Sequence, residues 1–498
     1  MAAPTMTLNP LVTKFLAREA TMLIDGVWRG AASGETFDVF DPATGTLITK
    51  VPRGGAADID AAVAAARRTF ESRIWRGKTG AERSIILWNF AELIEANVEE
   101  LLQLEVLDNG MPYAFGDYCV RSSAEWLRHY ARLAANIFGR NVSGSVSGSQ
   151  AFHAYSASEP VGVVGLITPW NGPIVTFALK VAPALAAGCS AVVKPAENTP
   201  LTALRVGELA LEAGIPPGVL NIVTGFGHEA GAALAEHPDV DKVSFTGSTA
   251  VGKSIVKASA GNLKRLTLEL GGKSPCIIFD DADMDVAIPS AAMSIFANTG
   301  QVCFAGSRLF VQRKSFDRVI AGIADFAKDM KIGSGLEPDN NLGPLISEKQ
   351  HQRVLEYIAI GRAEGAELVT GGARHGNTGF FVEPTIFADV NANMRIVQEE
   401  IFGPVLVATP FDEVGDVLRA ANNTRYGLGA GVFTTDVNKA HHLADRIESG
   451  NVWVNCYGVM HPALPFGGFK ESGWGREAGT EGLDAFLEKK SVIIHLKS

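Results

Sequence analysis

Cysteine is scarce in this chain: Cys119, Cys189, Cys276, Cys303 and Cys456 are the five among 498 residues. An odd, widely spaced set excludes a disulfide framework. No CxxC or Cys/His spacing reads as a zinc site, so no metal is expected. Each thiol is by default a small buried hydrophobe. Long apolar runs are also lacking. No stretch approaches the roughly 18 apolar residues of a membrane span. The opening MAAPTMTLNPLVTKFLAREA has no continuous apolar core of signal-peptide type, so neither a membrane nor export is expected and the compartment is taken as the cytoplasm. Positive charge is in deficit: 44 basic residues stand against 54 acidic ones, for a net charge of −10, which argues against a nucleic-acid partner. No internal repeat or low-complexity segment interrupts the chain.

What is present is an alternation of strand and helix patterns. Asp25-Gly26 marks a turn between apolar stretches and predicts a hairpin. Ile59, Val63, Ala66 and Phe70 recur at helical spacing, and one further helix is predicted from about Ala81 to Leu107, stopped by Asn109-Gly110. Residues 143–149 read SGSVSGS, a linker-like segment. Strands are then predicted at 161–167, 191–193, 219–223 and 243–245, with helices between them at 177–187 and 202–213. A second series begins near Pro275, with strands at 276–279, 309–312, 405–408, 431–433 and 452–455. Such alternation implies an α/β fold with two doubly wound parallel sheets. The run 491–497, SVIIHLK, reads as a strand without a neighbour in sequence. It has to pair with a distant segment or another subunit.

Residues 247–254 read GSTAVGKS, a literal match to the phosphate-loop pattern GxxxxGK[ST] between a strand and a helix. The run CIIFDD at 276–281 resembles the magnesium-holding strand of nucleotide triphosphatases. A P-loop nucleotide hydrolase is therefore a competing reading. Physically, glycines leading into a helix N-terminus serve a dinucleotide pyrophosphate as well as a triphosphate.

Other segments carry different chemistry. NTGQVCFAGSR at 298–308 sets Cys303 in a Gly- and polar-rich stretch between a helix and a strand. A reactive thiol there needs partial exposure and surroundings that favour thiolate. LTLELGGKSP at 266–275 places Glu269 at a strand end beside a Gly-Gly turn, where apolar surroundings would raise its pKa and make it a usable base. TPWNGP at 168–173 offers the Asn171 amide as a donor to a developing oxyanion. VKPAE at 193–197 puts Lys194 and Glu197 just past a strand, where doubly wound sheets bind ligands.

These motifs, in this order, resemble the aldehyde dehydrogenase superfamily. FTGS at 245–248, QEEIFGPV at 398–405 and PFGGFKESGWGRE at 465–477 extend the resemblance over nearly the whole chain, and the Lys-Ser of GSTAVGKS then belongs to a cofactor loop by chance. The resemblance implies an NAD-dependent enzyme in which Cys303 is the nucleophile, Glu269 the general base, Asn171 an oxyanion donor and Lys180 a partner of the base in proton relay. It implies a thioester hydrolysed by water, because members that pass the acyl group to coenzyme A commonly lack the glutamate. It places Trp170, Lys194 and Glu197 near the adenosine ribose, and Phe245, Gly247, Ser248 and Val251 near the pyrophosphate and adenine. Gln350, Glu400 and Phe402 fall near the nicotinamide ribose, and Ile167, Thr168, Pro169, Gly225 and Leu270 complete the cofactor set. Glu197 would pair with ribose hydroxyls and repel a 2′-phosphate, which favours NAD over NADP. The implied layout is an NAD-binding domain at 1–139 and 160–270, a catalytic domain at 271–470, and a small β hairpin for oligomerisation at 140–159 and 484–498, giving a homodimer or homotetramer.

The departures concern the substrate tunnel. Positions that are often aromatic in small-aldehyde enzymes are Gly172 and Ala297 here, with Met460 before the retained Phe466, Val302 and Phe304 flanking the nucleophile, and Thr176 nearby. Losing rings frees volume. The expected substrate is a bulky hydrophobic aldehyde: an aryl-acetaldehyde, a terpenoid such as geranial, or a long aliphatic one. The run KFLAREATMLIDG is also similar to phenylacetaldehyde dehydrogenases. A semialdehyde or small-aldehyde dehydrogenase is the alternative within the family.

Overall fold

The computed structural model describes residues 7–142 and 152–496, so the SGSVSGS segment lies outside the described residues. Two parallel-sheet α/β units carry the chain. The first sheet has eight strands. Its centre is Arg265–Glu269, Lys242–Thr246, Val163–Ile167, Ser190–Lys194 and Leu220–Ile222, each parallel to the next. Short antiparallel strands finish both edges: Gly473–Trp474 on one side, and the Met22–Ile24/Val27–Arg29 hairpin on the other. The second sheet has seven strands, in the order Glu367–Thr370, Thr385–Ala388, Val405–Phe411, Arg308–Gln312, Pro275–Ile278, Gly429–Phe433 and Asn451–Val454. The pairs are parallel apart from the first. Strands such as Val163–Ile167 are buried throughout, which is why they read as unbroken apolar runs instead of alternating ones.

Local chemistry explains several boundaries. Helix Pro173–Ala187 starts earlier than the apolar pattern suggests, with proline in its first turn, and stops at Gly188 in the left-handed region (φ 99°). The helix predicted over 81–107 is two helices, Gly80–Ala96 and Val98–Asn109. Asn97 divides them: its side-chain amide donates to the Leu93 carbonyl at 2.7 Å, offering the backbone an alternative to continuing. A long helix, Tyr113–Ala134, follows where no element was predicted.

The strand near the C-terminal side runs Leu487–His495, four residues earlier in its start than the sequence suggests, and its partner is distant. It pairs antiparallel with Phe152–Pro160 of the same chain, register Leu487 to Pro160 through His495 to Phe152. Among the described residues no helix is long and apolar enough to cross a membrane.

Candidate active site

The strand order of the first sheet reverses about Val163–Ile167, so the carboxyl ends of that strand and of Lys242–Thr246 open onto one crevice. Several of the residues predicted for a cofactor lie at or just past these strand ends. Ile167 ends one strand and leads through Thr168, whose N–H donates to the Lys194 carbonyl at 3.1 Å, to Pro169 and Trp170. At the end of Ser190–Lys194, the buried Lys194 Nζ lies 2.9 Å from Glu197 Oε2. Burial lowers the lysine pKa; burial is also the largest influence on Glu197 and opposes its ionisation, but the lysine charge and the hydrogen bonds to the carboxylate together hold it below its ordinary range. Past Phe245 and Gly247, Ser248 caps helix Thr249–Ser259, accepting from the Val251 N–H. That helix has no acidic residue in its first turn, and Val251 is exposed. An N-terminus of this kind is open to an anion. Lys253, the phosphate-loop lysine of the competing reading, is turned away and pairs with Glu471 at 2.9 Å. The buried Leu270 packs beside Gly252 of this helix, and Gly225 (φ 150°) lies against Gly54.

Across the crevice stands the segment 400–402. Glu400 is half-buried, accepts from the Gly272 N–H at 2.9 Å, and is pushed up by desolvation to about 7. Phe402 meets Trp170 edge-on with ring centroids 5.2 Å apart. Gln350 donates to the carbonyls of Ile401 and Phe402 at 3.1 and 2.8 Å, so it buttresses this segment.

Cys303 follows a sharply folded turn. Asn298, Thr299 and Gly300 all lie in the left-handed region, with φ of 46°, 57° and 71°. For the two non-glycine residues this costs of order 1–3 kcal/mol each. The turn is held by bonds at every step: Asn298 Nδ2 to the Asn171 carbonyl (2.9 Å), Thr299 Oγ1 to the Gly343 carbonyl (2.9 Å), and the Ile346 N–H to Gln301 Oε1 (2.9 Å). Asn171 returns the contact, its amide donating to the Gln301 carbonyl at 2.9 Å. The thiol is half-buried and sits at no helix N-terminus. Its surroundings oppose thiolate: burial raises its pKa, the Glu269 and Glu400 carboxylates raise it further, and the amides of Phe304 and Cys303 offset only part. A base must therefore take its proton.

Glu269 lines the same cavity as the thiol. Both carboxylate oxygens are buried without a hydrogen-bond partner. Burial and the neighbouring Glu477 carboxylate hold its pKa well above the usual range, while Lys180 and Arg476 pull the other way. Room for the carboxylate depends on Gly467, where a Cβ would lie 2.8 Å from Glu269 Oε1. Lys180, fully buried, donates to Glu477 Oε1 at 2.5 Å and to Ser244 Oγ at 3.1 Å. Glu477 was missed in the sequence. It closes the PFGGFKESGWGRE stretch, but its pairing with Lys180 spans 297 positions.

Asn171, Glu269, Cys303 and Glu477 all line one cavity of about 510 Å³. Its walls include Gly172, Thr176, Ala297, Val302, Phe304, Met460 and Phe466, the seven tunnel positions named from the sequence, together with Phe115, Tyr118 and Trp126 from helix Tyr113–Ala134. At Gly172 an added Cβ would meet nothing but Val175 and Thr176, 3.1 and 3.7 Å away. Among the described residues no Lys or Arg lines the cavity, and no cluster of His, Cys, Asp and Glu could hold a metal ion.

A thiol, a buried carboxylate and a side-chain amide thus share one apolar cavity. The aldehyde dehydrogenase family profile matches residues 28–492. The chain belongs to this family. An aldehyde dehydrogenase of Bacillus cereus, solved as an NAD+ complex, is 47% identical, with a TM-score of 0.97 over 99% of this chain and 100% of that one. The phenylacetaldehyde dehydrogenase of Pseudomonas fluorescens is 45% identical over 95% of each sequence. The betaine aldehyde dehydrogenase of Staphylococcus aureus, also in complex with NAD+, is 37% identical with a TM-score of 0.94 over 99% of this chain and 97% of that one. Aldehyde dehydrogenases named for different substrates therefore resemble this chain.

Proposed function

We propose that this aldehyde dehydrogenase oxidises a bulky hydrophobic aldehyde to its carboxylic acid with NAD as acceptor. The observation that carries the reading is the 510 Å³ cavity, apolar along its walls, with Cys303, Glu269 and Asn171 on its surface. The crevice residues fit a dinucleotide: an acid-free helix N-terminus at Ser248 for the pyrophosphate, Glu197 for ribose hydroxyls and Glu400 for the second ribose. Ile167, Thr168, Pro169, Trp170, Lys194, Gly225, Phe245, Gly247, Val251, Leu270, Gln350 and Phe402 shape the same crevice. A carboxylate at Glu197 would repel a 2′-phosphate, which favours NAD over NADP.

NAD, when bound, accepts the hydride. Glu269 takes the thiol proton, and the Cys303 sulfur adds to the aldehyde carbon. Asn171 has two amide N–H groups; one holds the Gln301 carbonyl and the second, with the Cys303 backbone N–H, holds the developing oxyanion. Collapse of that oxyanion expels the hydride and leaves a thioester on Cys303. Glu269 releases the thiol proton to solvent before the thioester is attacked and then removes a proton from water, whose oxygen displaces the sulfur as thiolate; the thiolate is reprotonated, so one proton is released per turnover. Lys180 and Glu477 steady the charge on the base.

Gly172, Thr176, Ala297, Val302, Phe304, Met460 and Phe466 are read as the substrate channel, and the lack of a lining Lys or Arg among the described residues disfavours semialdehyde acids. The first sheet with its flanking helices (1–139 and 160–270) is read as the NAD-binding domain and 271–470 as the catalytic domain. The ribbon of Phe152–Pro160 and Leu487–His495, with Ile493 65% exposed, is read as the surface of a homodimer or homotetramer that works in the cytoplasm. The deciding experiment follows NADH with acetaldehyde, phenylacetaldehyde, geranial, betaine aldehyde and succinic semialdehyde, in wild type and Cys303→Ser. The expected result is highest kcat/KM for phenylacetaldehyde or geranial and loss of at least about a thousand-fold in the variant. Preference for acetaldehyde, betaine aldehyde or the semialdehyde overturns the substrate reading. An active Cys303→Ser overturns the mechanism.

A further inference from the structure

Upstream of Cys303 the chain is tied to Asn171, Gly343 and Ile346. Downstream a different loop takes hold. Residues 302–305 form a tight turn, closed by the Ala305 N–H donating to the Val302 carbonyl at 3.0 Å, so Cys303 and Phe304 are its central pair. The Cys303 carbonyl lies against Gly272, where an added Cβ would come within 2.4 Å of it. The Phe304 carbonyl accepts from the Tyr457 phenol at 2.6 Å. Tyr457 comes from the loop that follows strand Asn451–Val454 of the second sheet, and it also lines the cavity.

Delivering that phenol takes backbone strain and two glycines. Asn455 lies in the left-handed region at φ 55°, which asparagine tolerates better than most residues. It is anchored to the end of strand Gly429–Phe433. Its N–H donates to the Val432 carbonyl at 2.8 Å, its Nδ2 donates to the Thr434 carbonyl at 3.0 Å, and its Oδ1 accepts from the Thr434 N–H at 3.0 Å. Two residues on, the Tyr457 ring fills a slot over Gly431 and Gly306, where added Cβ atoms would lie 2.5 and 3.3 Å from it. The Trp453 indole stiffens the loop by donating to the Val459 carbonyl at 2.8 Å. The Trp453 ring stands 5.0 Å from that of Tyr457 and 5.5 Å from that of Phe304. Phe304 is thus gripped by its carbonyl and by its ring. Desolvation pushes the phenol well above its ordinary range, so it stays a donor at neutral and mildly alkaline pH.

We propose that Tyr457 is a positioning residue for the nucleophile, holding the turn so that the Cys303 sulfur and backbone N–H meet the aldehyde together. The proposal rests on the assignment of Cys303 as nucleophile above. Tyr457 gives up no proton in this role. It fixes the peptide that follows the thiol, as Asn171 and Gln301 fix the segment before it. A misplacement of about 1 Å in an attacking group costs on the order of a hundred-fold in rate. The cofactor crevice belongs to the first sheet and segment 400–402, so NAD binding is left alone.

The test uses Tyr457→Phe, which keeps the ring and removes the donor, and Asn455→Gly, which keeps the left-handed bend and releases the side-chain bonds to Thr434. Stopped-flow formation of the first NADH is followed at saturating NAD over a range of phenylacetaldehyde concentrations and of pH. NAD affinity is read from tryptophan quenching, and folding from thermal unfolding. In Tyr457→Phe the limiting first-turnover rate is expected to fall at least about ten-fold, with aldehyde half-saturation within about two-fold of wild type, NAD affinity kept and a pH profile of unchanged shape. Asn455→Gly is expected to change in the same direction by less. A wild-type first-turnover rate in folded Tyr457→Phe overturns the proposal. So does a loss confined to half-saturation or NAD affinity, or a pH profile of altered shape, which would make the phenol a proton donor. If Tyr457→Phe does not fold, Asn455→Gly is judged by the same criteria. NADH formation by Cys303→Ser overturns the nucleophile and the positioning role with it, whereas an inactive Cys303→Ser beside a fully active Tyr457→Phe removes the positioning role alone.

Discussion

The two parallel sheets treat their interiors in opposite ways. In the sheet containing Pro275–Ile278, Arg308–Gln312 and Gly429–Phe433, both faces are apolar: Cys276, Ile278, Leu309, Val311 and Phe433 enter one cluster, and Ile277, Phe310, Ala430 and Val432 another. Its buried Arg308 is satisfied by the carbonyls of Lys273, Ala420 and Ala421. In the sheet containing Lys242–Thr246 and Arg265–Glu269, one face is given over to charge and hydroxyls: Lys242, Ser244 and Thr267 are buried on the face of Glu269. Cohesion is concentrated in the first arrangement and ionisable chemistry in the second. Burial that holds a structure together is the same burial that lifts the pKa of Glu269 and of Cys303.

Glu269→Gln is the largest test of that division. Both formation of the first NADH and later turnover are expected to slow, because Glu269 serves thiol and water alike, with kcat down about 10²–10⁴-fold, while stability is unchanged or rises because a buried, unpartnered carboxylate is gone. The same variant reports on the thiol. The Glu269 carboxylate raises the Cys303 pKa, so its removal moves the alkylation profile with iodoacetamide to lower pH. A profile that does not move would mean the two groups do not sense each other. Ile277→Ala is the converse. Loss of about 2–5 kcal/mol is expected in urea unfolding, with turnover per folded molecule retained; a change in KM would show that the apolar sheet is not separate from the chemistry. Gly172→Phe has the smallest effect, a rise of about ten-fold in KM for phenylacetaldehyde with little change for acetaldehyde. Equal changes for both would remove the cavity wall as the basis of selection.

The family and the parallel α/β architecture were legible because strands such as Val163–Ile167 are short apolar runs closed by punctuating residues, and because the motifs occur in a fixed order. The cavity wall was only half legible. Gly172, Ala297 and Met460 sit beside recognisable motifs, but Phe115, Tyr118 and Trp126 stand on a helix whose sequence, with Gly116, Ser122 and Ser123 among aromatic residues, is a weak helix former on local grounds. Tertiary burial decides it. The break at Asn97 carries no glycine or proline. Glu477 could not be found by spacing, since its meaning lies in a lysine on a remote helix. The polar face of the first sheet was hidden for a related reason: KVSFT and RLTLE each read as ordinary strands until their register is known.

The bond between Lys180 and Glu477 joins residues 297 positions apart. A chain must close a loop of that size before the base acquires its neighbours, and such non-local contacts come late because their entropy is lost before they contribute. The strand Gly473–Trp474 that completes the first sheet pairs with Leu268 and Glu269, so closing the edge of the sheet and assembling the surroundings of the base are one event.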